Sequence, residues 1–352
     1  MNNLEDTIFV TMASCEEYFL EQTVKSAIAM ANKPERVFFG IFNNILKKEH
    51  SLLENDFFKN SSTIFYAELF TSTPMGTGFG RMNASLLSTR NHDYVLQIDA
   101  HTVFTKDWDL KLIENFENIS NFANTDKLVL TAIPRGNLYY NIKDRDTMFS
   151  TDGILSQQGS DKIDPYNNNY HELTEYHNTK PEITFDGWQG TNLAEGNIGL
   201  PITYGTPIFE EDEYAEVNCI HASLVFFKYS TIREVMHDPS DFFNGDQINH
   251  GLRLLSRGYK IFAIKHPLLL TLNKYHVETL PSDKSHEFVD PEWNWRLGIP
   301  MNQSGSDYQN NMHLSSERIY KEIFSGEYLG YWGAPDKESL MLAKAKIGFD
   351  KK

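Results

Sequence analysis

Apolar positions in this chain fall into short dense runs alternating with stretches of helical spacing. Residues 7–13, Thr-Ile-Phe-Val-Thr-Met-Ala, are apolar at most positions and predict a buried first strand. From Glu16 onward, Phe19, Leu20, Val24, Ala27, Ile28 and Ala31 recur with the period of a helix, and Asn32-Lys33-Pro34 stops it. Residues 36–42 predict a second strand ending at Asn43-Asn44, and residues 63–67 a shorter third. A glycine-rich turn over residues 75–81 leads into a helix through Leu87, and a fourth apolar run ends on Asp99. This alternation is that of an α/β unit with a largely parallel sheet, whose ligands bind at the carboxyl ends of the strands.

Residues 135–216 break the pattern. They are rich in Asn, Asp, Tyr, Gly and Thr and predict a long insertion with short strands, of the kind that is usually functional. Regular structure resumes with residues 217–227, read as one buried strand. A helix over residues 246–257 carries Ile248, Leu252, Leu254 and Leu255, with Gly258 at its C-cap. Residues 259–264 follow as a strand. The tail from Ser315 is helical in two pieces, broken over residues 326–335.

The 352 residues suffice for one large domain or two smaller ones, and 40% hydrophobic residues with 13% aromatics mark a folded chain. A net charge of −16 argues against a general nucleic-acid binder and against an anionic membrane surface as partner. Cys15 and Cys219 cannot build a disulfide framework and form no Cys-x-x-Cys, so a reducing compartment is expected. The first residues are acidic and unlike a signal peptide, and no apolar run is long enough to cross a bilayer. The expected location is cytoplasmic.

The chemistry concentrates at Asp99-Ala100-His101. If the strand stays extended, residues i and i+2 face the same way, so a carboxylate and an imidazole meet at one edge. That pair suits a divalent ion such as Mn²⁺, which offsets charge on a departing phosphate. A plain strand end with a capping Asp and a surface His is the bland alternative. Gly76, Gly78 and Gly80 permit close backbone approach but do not form a dinucleotide fingerprint. Arg81 can pair with a diphosphate or orient Asp99.

An ordered set of segments resembles the polypeptide N-acetylglucosaminyltransferase family, whose members include enzymes that modify hydroxyproline on a ubiquitin-ligase adaptor. The set comprises residues 8–14, the 76–83 turn with Arg81, residues 96–101, Trp108-Asp109, residues 235–239, 243–247, 253–259, 325–330 and 346–350. The resemblance implies a GT-A fold in a single domain, a UDP-sugar donor (GlcNAc favoured), Mn²⁺ or another divalent metal, retention of configuration, and a hydroxyl acceptor on a protein or glycan. The domain would divide into a nucleotide- and metal-binding half (1–134), an insertion that selects the acceptor (135–216), a sugar and acceptor half (217–314) and a helical tail (315–352).

Carried onto this sequence, the metal ligands are Asp99 and His101 with a third histidine. The family position falls near Thr271, so His276 is the first candidate and His266 the second. Thr11, Ala13, Ser14 and Ala100, with Arg81 and Asp99, line the place of the nucleotide, and Asn43 is placed to bond the uracil. Gly245 and Asp246 are assigned to the sugar or acceptor. Asp246 orients it if configuration is retained, acts as base if it is inverted, and is otherwise a helix-capping residue. His221 and Ser223 are candidate sugar contacts, and Trp188 a candidate acceptor platform. Two rival classes remain: a metal-dependent sugar-nucleotide hydrolase or nucleotidyltransferase, and a silent sugar-binding protein.

Overall fold

A computed structural model describes residues 6–17, 19–72, 74–133, 137–140, 179–189, 200–208, 213–242, 244–266, 268–274, 307–327 and 329–348. The first half runs β1 (Ile8–Ser14), α1 (Leu20–Met30), β2 (Val37–Ile45), α2 (Asp56–Lys59), β3 (Ile64–Phe70), α3 (Thr77–Leu86), β4 (Tyr94–Asp99), β5 (Thr102–Phe104), α4 (Trp108–Ala123) and β6 (Leu128–Thr131). Next come β7 (Asn137–Tyr140), β8 (Thr179–Gln189), β9 (Leu200–Pro207), β10 (Tyr214–Val217), β11 (Val225–Lys228) and α5 (Ser230–Glu234). The chain continues with α6 (Asn244–Ser256), β12 (Lys260–Ile264), β13 (Leu269–Lys274), α7 (Asp307–Tyr320) and α8 (Lys337–Ile347).

Among the described residues, eight strands form the central sheet in the order β10-β12-β6-β11-β4-β1-β2-β3. The strands from β1 to β4 pair in parallel, as do β6 and β12, while β10 and β11 run the other way. The expected mixed, mostly parallel α/β sheet is therefore present. Side chains alternate across it with the strand period of two. Leu96, Ile98, Leu128 and Leu130 join a core with Trp108, Leu112 and Phe116 of α4 and Leu20, Val24 and Ala27 of α1. Val95, Val129, Val225 and Phe227 join a second core with Leu252 and Leu255 of α6 and Leu340 of α8. On β4, Asp99 falls in step with Val95, so it faces the side of the sheet that carries α6.

Two sequence expectations are corrected. The run 217–227 is not one strand: β10 ends at Val217, and β11 starts only at Val225, between β6 and β4. The intervening residues cross the carboxyl edge, and Cys219, Ile220 and Leu224 are buried on the way, which is why the run looks continuous. The glycine-rich stretch is not a turn ahead of a helix. Gly76 is the N-cap, and Gly78 and Gly80 lie inside α3.

Small sheets flank the main one. β5, β13 and β7 form a three-stranded sheet, and β8 with β9 an antiparallel pair. Of the domain boundaries expected at residues 134, 216 and 314, the first lies outside the described residues, while 216 falls within β10 and 314 within α7, so the last two cut through an element, and the division into functional parts stays an expectation.

Candidate active site

The carboxyl edge of β4 carries the site because three neighbouring strand registers end together there. Ala13 of β1 pairs with Asp99, and Ser14 pairs with Asn43 of β2. β11 enters antiparallel beside β4, so the turn that precedes it, residues 221–224, is delivered to Asp99. Ser223 Oγ donates to Asp99 Oδ2 at 2.9 Å. Arg81 Nη2 lies 3.5 Å from Asp99 Oδ1. Burial works to raise the Asp99 pKa. The attraction of His101, Arg81 and His221 and the bond from Ser223 outweigh it and hold the carboxyl below its usual range. Asp99 is thus an anion at neutral pH.

The strand does not stay extended as far as His101. Residues 100 and 101 form a bend, and β5 starts at Thr102. The bend is fixed from outside: Thr23 Oγ1 of α1 donates to Ala100 O and accepts from Thr102 N, both at 3.0 Å. Asp99 and His101 nevertheless meet at one cavity of about 180 Å³, together with Ala13, Ser14, Ala100 and Arg81. The i, i+2 rule reaches the right outcome by the wrong path, since a pinned bend replaces the strand face.

Arg81 points inward from α3 and is 6% exposed. Its Nη1 is ion-paired with Asp246 Oδ2 while Nη2 faces Asp99. Asp246, in the first turn of α6, is fully buried, and its Oδ1 meets His237 Nδ1 at 2.8 Å. The His237 ring packs against His250 with centroids 3.9 Å apart. The result is a buried chain Asp99–Arg81–Asp246–His237 tying β4, α3, α6 and the loop before α6. Close approach makes it fit: a Cβ on Gly80 would stand 2.8 Å from Ala13 Cβ, and one on Gly78 would strike the carbonyl of Asp238. These glycines serve helix packing, and Gly78 N donates to Asp241 O at 3.1 Å.

Other expected site residues separate. Asn43 is buried, and both ends of its amide are engaged inside the chain: Oδ1 accepts from Glu16 N at 3.1 Å and Nδ2 donates to Tyr66 Oη at 3.1 Å. It braces the loop after β1 and does not line the cavity. Thr11 is buried within β1, two residues short of the cavity. His221 sits beside Asp99, and burial lowers its pKa to about 4, so it is neutral. Ser223 spends its hydroxyl proton on Asp99. Gly245 is buried behind Asp246 at the start of α6. Asp246 does not line the cavity; it acts on it through Arg81.

Trp188 lies on β8 opposite Pro201, beside a bulge. His266 follows β12, is 60% exposed, and pairs with Glu213 Oε2 at 2.5 Å, with β6 and β11 between its strand and β4. His276 lies outside the described residues. Thr271, where the family's histidine aligns, pairs directly with Thr102 next to His101. Among the described residues no group of three or more His, Cys, Asp or Glu is arranged to hold a metal. Sequence reasoning missed Glu17, which is buried in the cavity wall with Oε2 3.6 Å from His101 Nδ1. Nothing in the sequence separates it from its neighbour Glu16, whose carboxylate caps Leu46 N and Lys47 N.

The sequence model of the family described as Glycosyltransferase (GlcNAc) matches residues 59–282, well over half of the chain. The chain belongs to the glycosyltransferase (GlcNAc) family. The match spans α3, β4, the Asp99–His101 bend and α6. Among solved structures, the glycosyltransferase shares its fold with GalNAc-T7, solved with UDP, GalNAc and Mn²⁺. The TM-score is 0.51 at 13% identity, covering 99% of this chain and 55% of that one. The chain thus spans about half the length of that neighbour, and the shared architecture is GT-A. No curated protein matches the sequence. The narrower hydroxyproline-modifying family is not reached by these comparisons. Among the described residues no helix is long and apolar enough to cross a membrane.

The donor chemistry at the edge fits a divalent cation. An ionised carboxylate and an imidazole on one cavity wall are the oxygen and nitrogen ligands that a Mn²⁺-type ion takes.

Proposed function

We propose that this glycosyltransferase moves a sugar, with N-acetylglucosamine favoured, from a UDP donor to a hydroxyl on a protein or glycan, using a divalent metal such as Mn²⁺ and retaining configuration. The observation that carries the reading is the meeting of Asp99, His101 and Arg81 on one cavity at the carboxyl edge of the sheet. The family match supports glycosyl transfer, and the GalNAc-T7 structure with UDP and Mn²⁺ supports the donor and metal class.

Asp99 and His101 are the residues that would hold the metal. When bound, it supplies positive charge against the diphosphate leaving group. Ser223 and Arg81 fix the Asp99 carboxylate in place, each engaging a different oxygen. Ala13 and Ser14 leave room along β1 for the nucleotide, since their side chains are small and both line the cavity. Asp246 supports retention. It is buried, bound to Arg81 and His237, and does not line the cavity, so its carboxylate does not face an acceptor there. A same-face transfer needs no such base. Residues 135–216 would select the acceptor.

A panel of UDP-sugars with Mn²⁺, scored for UDP release, tests the reading. One donor should stand out, and Asp99→Ala should reduce its turnover at least about 100-fold. Equal release in wild type and Asp99→Ala, or none with any donor, defeats it.

A further inference from the structure

Two groups from the segment that opens α1 close on the bend that holds His101. Thr23 bridges the backbone on either side of it, bonding Ala100 O and Thr102 N. Glu17 approaches the ring itself. Its side chain is 3% exposed, and Oε2 stands 3.6 Å from His101 Nδ1. That nitrogen is buried and, among the described residues, has no hydrogen-bond partner. Glu17 is held where it is by its own backbone: its N–H donates to Ser14 Oγ at 3.3 Å, and its carbonyl accepts from Leu20 N at 3.2 Å. A buried carboxylate and an unpartnered ring nitrogen thus face each other across a gap about 0.8 Å longer than a charge-assisted hydrogen bond.

We infer that Glu17 is a positioning residue for His101: its carboxylate accepts the Nδ1 proton, fixes the tautomer, and leaves the Nε2 lone pair for the cation. This rests on the metal reading proposed above. A histidine that ligates through one nitrogen needs the other proton anchored, and a carboxylate both orients the ring and makes it a better donor. Thr23 sets the backbone of the bend, and Glu17 sets the ring upon it. The division also explains why adjacent acids have different duties: Glu16 turns outward to the loop after β2, and Glu17 turns into the cavity.

Two measurements test this. The first needs no metal. In ¹⁵N-histidine-labelled protein at pH 7.5, two-bond ¹H–¹⁵N correlations read the His101 tautomer, with His101→Gln for assignment. Wild type should be the Nδ1–H form and Glu17→Ala a mixture or the Nε2–H form; Glu17→Gln, which keeps an acceptor oxygen, should stay closer to wild type. The second is Mn²⁺ affinity by the paramagnetic resonance of the free ion. Glu17→Ala should weaken it about 10- to 100-fold and Glu17→Gln less, with unchanged circular dichroism. An unchanged tautomer in Glu17→Ala overturns the assignment of Glu17. Absence of Mn²⁺ binding in wild type, with the tautomer shift present, defeats the metal reading and leaves the Glu17–His101 bond standing.

Discussion

Arg81 and Asp246 should behave as a unit in stability. Arg81 is the cation for two carboxylates, one fully buried and one at the cavity, and among the described residues no other Arg or Lys pairs with Asp246. Arg81→Met strips both carboxylates of their partner. Removing one member of a buried pair costs about 3–5 kcal/mol, because the remaining charge is left without compensation. Asp246→Asn keeps an acceptor for His237 and leaves Arg81 with Asp99 at 3.5 Å. Its loss is that of one charge-assisted bond, about 1.5–3 kcal/mol. In the double variant the uncompensated charge at position 246 is gone, so its cost should not exceed that of Arg81→Met. Simple addition would give about 4.5–8 kcal/mol, a large part of the stability of an ordinary domain. Urea unfolding of the four proteins, with midpoints compared at constant slope, gives the coupling. A double variant within about 0.5 kcal/mol of the sum of the singles would show that the two side chains do not act together, and the buried chain from Asp99 to His237 would lose its basis.

Stability should also fall in mild acid. Burial lowers the pKa of His92 and His221 to about 4 and of His250 to about 3, and holds His237 well below its usual value. Between pH 6.5 and about 4 the unfolded chain therefore binds protons that the folded chain refuses, so folding free energy drops as pH falls through that window. The slope reaches about 1.4 kcal/mol per pH unit for each such histidine, and His92→Phe, whose ring stacks on Phe9 as the imidazole does, should flatten it by one proton. A wild-type profile flat over that range contradicts the burial argument. Two glycines should respond with opposite sign. Gly78→Ala drives a methyl into the 238–241 backbone and should lower stability by about 1–3 kcal/mol. Gly251→Ala places its methyl 3.6 Å from Ile220, an ordinary contact within α6, and should raise it by up to about 1 kcal/mol. Thermal melts that move the same way for both would refute the packing account.

The first four strands and α6 were legible because their apolar periodicity is local. α4 is equally local in its signal: Leu112, Phe116 and Ile119 recur at helical spacing and all three are buried. The short β6 is not legible, since four positions carry little periodic signal. The strand read over residues 217–227 failed because burial along the carboxyl edge mimics burial in a sheet. Ser223 is expected at a sugar, but its hydrogen bond to Asp99, 124 residues earlier, carries no local signal. Arg81 and Asp246 were both singled out, yet nothing in the sequence said that they touch across 165 residues. Asn43 shows the converse. Its type suits recognition of a base, but only the fold reveals that its amide bonds Glu16 and Tyr66.

The short sheet β5-β13-β7 has a consequence for how this scaffold can be altered. β7 opens the long insertion and is one strand removed from β5, which leaves the His101 bend, while β10 closes the insertion against β12. A one-residue slip in either stub would turn its side chains over and pull on the edge that holds the chemistry. Foreign segments can therefore be spliced into the insertion only between fixed posts, at residues 137–140 on one side and 214–217 on the other. Exchange inside those posts leaves β7 on β13 and β10 on β12, and exchange across them takes a strand out of each sheet.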